Sequence, residues 1–277
     1  MTRAPHHRAR HGRDRPTRDA YPRAVAHPLP LTGERTLPGV PGEEYWFARH
    51  EAVYRWVAAT FGDRLVDAVV VEAGSGEGYG AALLRDAGAR VVLALEYDEA
   101  AVKHARSAYD EVATTRANLA AMPVAPGSVD VLVCLQVVEH LWDLPGFLRD
   151  CVAVLRPGGL AVVSTPNRPV FSPGLARGQK PTNPFHVAEL DAEQLHDLLI
   201  GAGFVDASVH GLHHGGRITE WEQSAGVGIV AAQVSAVTGD GPVPPGLAER
   251  VASVTALDFE MADADDAQDL VALAVAP

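Results

Sequence analysis

The sequence is poor in several features that would place a chain quickly. Its only cysteines are Cys134 and Cys151, without metal-ligand spacing, which fits a reducing cytoplasm. No stretch approaches the ~20 apolar residues of a membrane span, and residues 1–30 lack the apolar central segment of a secretory signal. No internal repeat is visible. No Gly-Lys-Ser/Thr follows the glycine-rich loop described below, so a P-loop is excluded. Positive charge is scarce in the body of the chain. Seven Arg fall in residues 1–30 against Asp14 and Asp19, whereas residues 31–277 carry 16 basic and 33 acidic side chains. Such a body argues against nucleic acid as the main partner, because phosphate contacts need clustered Lys and Arg. Residues 1–30, with four His, five Pro and little aliphatic content, read as a disordered arm.

What is present is ample for a core: 277 residues, 47% of them apolar, suit one large α/β domain or two small ones. The organising stretch runs from Ala68 to Gly80, Ala-Val-Val-Val-Glu-Ala-Gly-Ser-Gly-Glu-Gly-Tyr-Gly. An apolar run suits a strand buried on both faces. The glycines suit a turn whose backbone approaches a ligand, and a helix N-terminus follows. Before it, residues 31–64 read as an N-terminal cap with a helix over 43–61, whose apolar face takes in Trp46, Val53, Trp56 and Val57. Arg49 shares that face and either reaches a ligand or snorkels to solvent.

Further strands are expected at 91–95, 112–116, 129–135, 160–164, 204–210 and 270–275. Helices are expected from Asp98 to Tyr109, over 144–155 until Pro157-Gly158-Gly159, and from Asp191 to Ala202. Residues 211–265 read as an insertion with helices near 218–237 and 245–254, expected to cover an acceptor. The alternation implies a doubly wound, mostly parallel, seven-stranded Rossmann-like sheet over 65–277. The last strand lacks an ordinary crossover helix, which allows an antiparallel placement.

The loop alone leaves the cofactor open. In the frame starting at Gly76 it also fits a dinucleotide fingerprint. Other segments narrow the choice. Val71 to Gly78, Glu96 at a strand end, Asn118-Leu119, Gln136-Val137-Val138-Glu139-His140-Leu141 and Leu155-Arg156-Pro157-Gly158-Gly159 together resemble the class I S-adenosylmethionine-dependent methyltransferases over about residues 65–210. The resemblance implies S-adenosylmethionine as cofactor, held by Glu72, Gly74, Gly76, Gly78, Glu96, Tyr97, Asn118, Leu119 and Gln136. Glu96 would accept from both ribose hydroxyls, and Asn118, in place of the commoner Asp, would face adenine.

Methyl transfer needs an aligned nucleophile and, for a weakly acidic hydroxyl, a base. The candidates are His140 and His186. Some ubiquinone-type O-methyltransferases hold a divalent metal through Glu-x-x-Glu-His at this segment. Gln136 stands at its first position, so no metal is expected. The flanks Leu31 to Arg35, Tyr45 to His50, Glu139 to Asp143, Ser164 to Arg168 and Asn183 to His186 resemble actinobacterial methyltransferases of methylglucose lipopolysaccharide clusters. That resemblance implies O-methylation of a glucose hydroxyl in a cytoplasmic α-glucan. Tyr45, Arg49, Trp142, Asn167, His213 and His214 are the candidate substrate contacts. A small-molecule acceptor such as a quinone, a nicotinamide-dependent reductase, and a SAM-binding module without catalysis are the competing readings.

Overall fold

The computed structural model describes residues 29–30 and 34–277, and the arm expected over 1–30 lies almost wholly outside them. Helix α1 (Glu44–Thr60) buries Tyr45, Ala48, Ala52, Val53 and Val57, the three-and-four spacing of one helical face. A single turn, α2 (Gly62–Leu65), leads into β1 (Val69–Ala73). Helix α3 (Tyr79–Asp86) starts from Gly78 and is followed by Gly88 at φ 114°, the left-handed residue that ends a helix cleanly. Next come β2 (Val91–Glu96), α4 (Glu99–Ala108) and β3 (Ala113–Arg116). Asp98 caps α4 by accepting from the Ala100 N–H, satisfying one of its orphan donors.

The second half contains β4 (Val129–Leu135), α5 (Leu144–Val154) and β5 (Leu155–Pro166). The short α6 (Arg168–Phe171) and α7 (Ala192–Ala202), with a capping box between Asp191 and Gln194, follow. Then come β6 (Asp206–His214), α8 (Gly216–Ala225), α9 (Ile229–Thr238), α10 (Leu247–Ala252), β7 (Phe259–Asp263) and β8 (Asp269–Val275).

The sheet order is β3-β2-β1-β4-β5-β8-β6-β7. Strands β1 to β5 pair in parallel, whereas β8 is antiparallel to both β5 and β6. The expected doubly wound, mostly parallel sheet is therefore present, with eight strands among the described residues instead of seven. The added strand, β7, is an edge strand paired to β6. Its only buried residue is Phe259, so no alternating pattern marks it in the sequence. Three boundaries also move. Strand β6 runs on through His214 because β7 and β8 pair along it. The helix expected over 218–237 is two helices, since Gly226 at φ 69° ends α8 and Gly228 precedes α9. Residues 155–159 already belong to β5, with Leu155 opposite Val129.

Two cores cover the two faces. One joins α1, α3 and residues Ile218, Ile229, Leu247 and Val251 of the insertion to Val70, Val92 and Val131. The other joins α5 and α7 to Val71, Leu132, Ala161 and Leu270. Each fully buried Leu or Val adds about 1.5–3 kcal/mol. Strand order reverses between β1 and β4, and a crevice at such a point opens at the C-terminal ends of the strands.

Candidate active site

A cavity of about 740 Å³ lies at that reversal, lined by Gly74, Ser75, Gly76, Glu96, Tyr97, Asn118, Leu119 and Gln136, among others. Gly74 sits at φ 83°, and a Cβ there would collide with the Val137 side chain. Gly76, at φ 54°, would carry a Cβ into open space, so the backbone itself forms that wall. The Gly74 and Ser75 N–H groups donate to Leu95 O, fastening the loop to β2. Glu96 receives the Gly76 N–H at 2.8 Å on one oxygen and the Asp98 N–H at 2.7 Å on the other. Each carboxylate oxygen keeps a lone pair for a ligand. Asn118 accepts from the Ala120 N–H through Oδ1. Gln136, at φ 57°, donates from its amide to Ser164 Oγ at 3.2 Å.

Two features fit this space to a polar ligand with a positive centre. The Ser75 hydroxyl and Arg35 Nη1 are buried without a hydrogen-bond partner among the described residues, and both residues line the cavity. Among the lining groups Glu34, Glu77, Glu96 and Asp143 outnumber Arg35.

Two expected cofactor contacts stand behind the wall. Gly78, at φ 104°, packs where a Cβ would meet Ala105 and Tyr109, so it serves helix packing. Glu72 is fully buried and accepts the Tyr54 hydroxyl at 2.5 Å, tying α1 to β1. Burial, reinforced by the nearby Glu96 and Glu77 charges, pushes its carboxyl up to about 8 against the Tyr54 hydrogen bond.

At the other end of the cavity three groups from distant segments converge. Glu34 Oε2 is 3.7 Å from His140 Nε2 and 3.6 Å from His186 Nε2. His140 Nδ1 lies 3.0 Å from Phe185 O. A carbonyl only accepts, so that nitrogen carries the proton and Nε2 of the neutral ring offers its lone pair. His186 Nδ1 lies 2.8 Å from Glu189 Oε1. Burial lowers the affinity of His186 for a proton, but Glu34, Glu189 and Glu139 outweigh it and raise the pKa. Burial would raise the Glu34 carboxyl; the nearby His186 imidazole and the hydrogen bond from Asn183 hold it below its usual range. Glu139 turns away from this group and accepts from Thr165 Oγ1 at 3.1 Å, while burial pushes its carboxyl up to about 7. His50 also lines the cavity. Burial, with the adjacent Arg49 charge, pushes its pKa down to about 3, which keeps it neutral and a weak base.

The expected substrate contacts divide sharply. Trp142 is 91% exposed and lines the cavity. The others are absent from its lining. Arg49 is buried away from both solvent and the cavity: it forms a bidentate ion pair with buried Asp269, its guanidinium 4.4 Å from the Phe171 ring centroid. Tyr45 is wholly buried, its hydroxyl 2.8 Å from His214 Nε2. His214 also pairs with Glu222, His213 bonds Asp263 O, and Asn167 donates to Ala267 O. Residues 211–265 contribute no lining residue and pack on α1 instead.

Sequence reasoning missed Glu34, His50 and Phe185 as site residues. Each lay inside a quoted flank, but only the fold brings Glu34 to a loop 149 residues away, where Asn183 Nδ2 donates to its Oε1.

A doubly wound sheet with this strand order, a glycine turn after β1 and a carboxylate closing β2 define the class I methyltransferase fold. A family model described as a methyltransferase domain matches residues 71–163. A probable S-adenosylmethionine-dependent methyltransferase of Mycobacterium tuberculosis H37Rv is 49% identical over 255 residues, 90% of each chain. One of Mycolicibacterium smegmatis is 47% identical over 259 residues, 92% of this chain and 98% of that one. A SAM-dependent methyltransferase of Thermotoga maritima shares the fold at 17% identity and a TM-score of 0.55, with 84% and 94% of the two chains covered. The chain belongs to the S-adenosylmethionine-dependent methyltransferases, and S-adenosylmethionine is its cofactor.

Proposed function

We propose that this methyltransferase is an O-methyltransferase acting on a sugar hydroxyl, specifically glucose of an α-glucan precursor of a methylglucose lipopolysaccharide. The observation that carries the reading is the cavity's acceptor end. A group of basic and acidic side chains there adjoins an exposed aromatic rim, Trp142 and Phe185. Flat apolar faces beside hydrogen-bonding groups suit a sugar ring, and the resemblance of the flanking segments supports the same acceptor.

S-adenosylmethionine would supply an electrophilic methyl group, transferred in line to the acceptor oxygen as the methyl–sulfur bond breaks and S-adenosylhomocysteine leaves as a neutral thioether. The Gly74 to Gly76 backbone and Ser75 hydroxyl would hold its polar groups, Glu96 its ribose diol, and Asn118 and Leu119 its adenine. His140 Nε2, oriented by Phe185 O, takes the acceptor proton, and His186 with Glu34 stabilises the charge that develops. Water is excluded as the acceptor fills the remaining cavity.

The test is transfer of labelled methyl from S-adenosylmethionine to α-glucan oligosaccharides, with quinone and lipid acceptors alongside. Label in the sugar fraction is expected. A protein that binds S-adenosylmethionine but labels no glucan of any length overturns the sugar reading.

A further inference from the structure

The cluster at the acceptor end has the donor set of a metal centre. One oxygen of Glu34 and one nitrogen each of His140 and His186 lie within 4.8 Å of one another. Two imidazoles and a carboxylate are a set that catalytic zinc uses, with bond lengths near about 2.1 Å and a remaining position open. Tetrahedral donors at that length stand about 3.4 Å apart. Here the carboxylate oxygen stands 3.7 and 3.6 Å from the two nitrogens, too far for strong hydrogen bonds and close to the spacing a cation imposes.

A second observation is independent of that spacing. Both rings are held from behind by acceptors at Nδ1, His140 by Phe185 O and His186 by Glu189 Oε1. Acceptors so placed fix the tautomer and aim Nε2, the outer-shell arrangement of metal-bound histidine. Glu34 is aimed in the same way, since Asn183 Nδ2 donates to its other oxygen at 3.1 Å. That amide also lies 3.0 Å from His186 Nε2 and keeps Glu34 Oε1 as its acceptor if a cation takes the imidazole lone pair. Glu139 is turned to Thr165 and Gln136 to Ser164. The set therefore shares only His140 with the Glu-x-x-Glu-His segment on which the expectation of no metal rested.

We propose that Glu34, His140 and His186 bind a divalent transition cation, zinc being the best match, with its open position toward the cavity. Glu34 and His140 both line that cavity, so a hydroxyl entering it can reach the ion. A hydroxyl reaching a Lewis acid gives up its proton to solvent more readily and becomes a better nucleophile. Binding itself rests only on the cluster. Its use in catalysis rests on the O-methyl reading and assigns to the cation the acidifying role given above to His140.

Full-length protein stripped with a chelator is titrated with Co²⁺, followed by its visible ligand-field absorption, and then challenged with Zn²⁺. One ion per chain is expected, displaced by Zn²⁺. His140→Ala and His186→Ala should each abolish the bands, and Glu34→Gln should weaken binding at least tenfold. Glu189→Gln, which touches no ion, should weaken it by about tenfold to a hundredfold. Calorimetry with S-adenosylmethionine checks that each variant is folded; should Glu34→Gln fail it, Glu189→Gln carries the test. Absence of bands in the parent protein overturns the site. So does absorption unchanged by both His substitutions, which places the ion on other histidines such as those of residues 1–30. Metal binding without glucan methylation would leave the site standing and sink the sugar reading; glucan methylation without metal binding would do the reverse.

Discussion

Two polar assemblies sit near the functional edge of this sheet, and they have opposite characters. One is Glu34, His140 and His186, half-buried, open to the cavity and built from long donor–acceptor distances. The other is Tyr45, Arg49, His214 and Asp269, sealed between α1, β6 and β8 and closed by short internal bonds. Both contain imidazole and carboxylate; the first holds the candidate bases His140 and His186, and the second holds Tyr45, Arg49 and His214, three of the candidate substrate contacts. The difference is compensation. A buried guanidinium bonded on two donors to a buried carboxylate has its charge answered inside the protein, whereas the open group has capacity left for a ligand. Chemically capable residues at strand ends are thus of two kinds, and partner geometry tells them apart.

Breaking the sealed assembly should give the largest effect. Arg49→Ala strands the Asp269 carboxylate in the interior and should cost about 3–5 kcal/mol of stability, measured by urea unfolding. Glu34→Gln in the open assembly should cost about 1 kcal/mol or less. At the glycine-turn end, Glu96→Ala removes a charged acceptor from the proposed ribose site and from the Gly76 and Asp98 N–H groups. Affinity for S-adenosylmethionine should fall by about 1.5–3 kcal/mol in calorimetry. His140→Ala should keep cofactor affinity and lower turnover by about tenfold or more, read in a steady-state assay.

The last effect is a slope with pH. Glu72 keeps its proton in the folded protein up to about 8, whereas the unfolded chain loses it near the ordinary carboxyl value. Between these values the folded state binds more protons, so stability falls as pH rises from the ordinary value through 8. This one group contributes up to about 1.4 kcal/mol per pH unit. Glu72→Gln should flatten the dependence of unfolding free energy over that window, leaving a residual slope from Glu139, which titrates at about 7.

How much of this was legible beforehand follows from distance along the chain. Strands β1, β2, β4 and β5 are buried apolar runs that declare themselves locally, as do the Asp98 and Asp191 caps. The cavity wall was legible for the same reason: Gly74, Gly76, Glu96 and Asn118 are all strand-end residues, and any doubly wound sheet brings such ends together. Strand β7 was hidden because an exposed edge needs no apolar pattern. Arg49 was misjudged because its partner, Asp269, is 220 residues away. Glu34 was passed over because nothing local distinguishes one acid in a loop from another. What escaped was long-range pairing of polar side chains, which leaves no periodicity to detect.

The central claim is that the open assembly serves an acceptor hydroxyl while the sealed one only holds the fold. It is tested most directly by following labelled methyl from S-adenosylmethionine into α-glucan oligosaccharides, with parent protein, His140→Ala, and Tyr45→Phe. Tyr45→Phe removes only the hydroxyl that meets His214. The account predicts label in the sugar for the parent and Tyr45→Phe at comparable turnover, and about tenfold less or lower for His140→Ala. Equal turnover by His140→Ala and the parent, with loss confined to Tyr45→Phe, would contradict it.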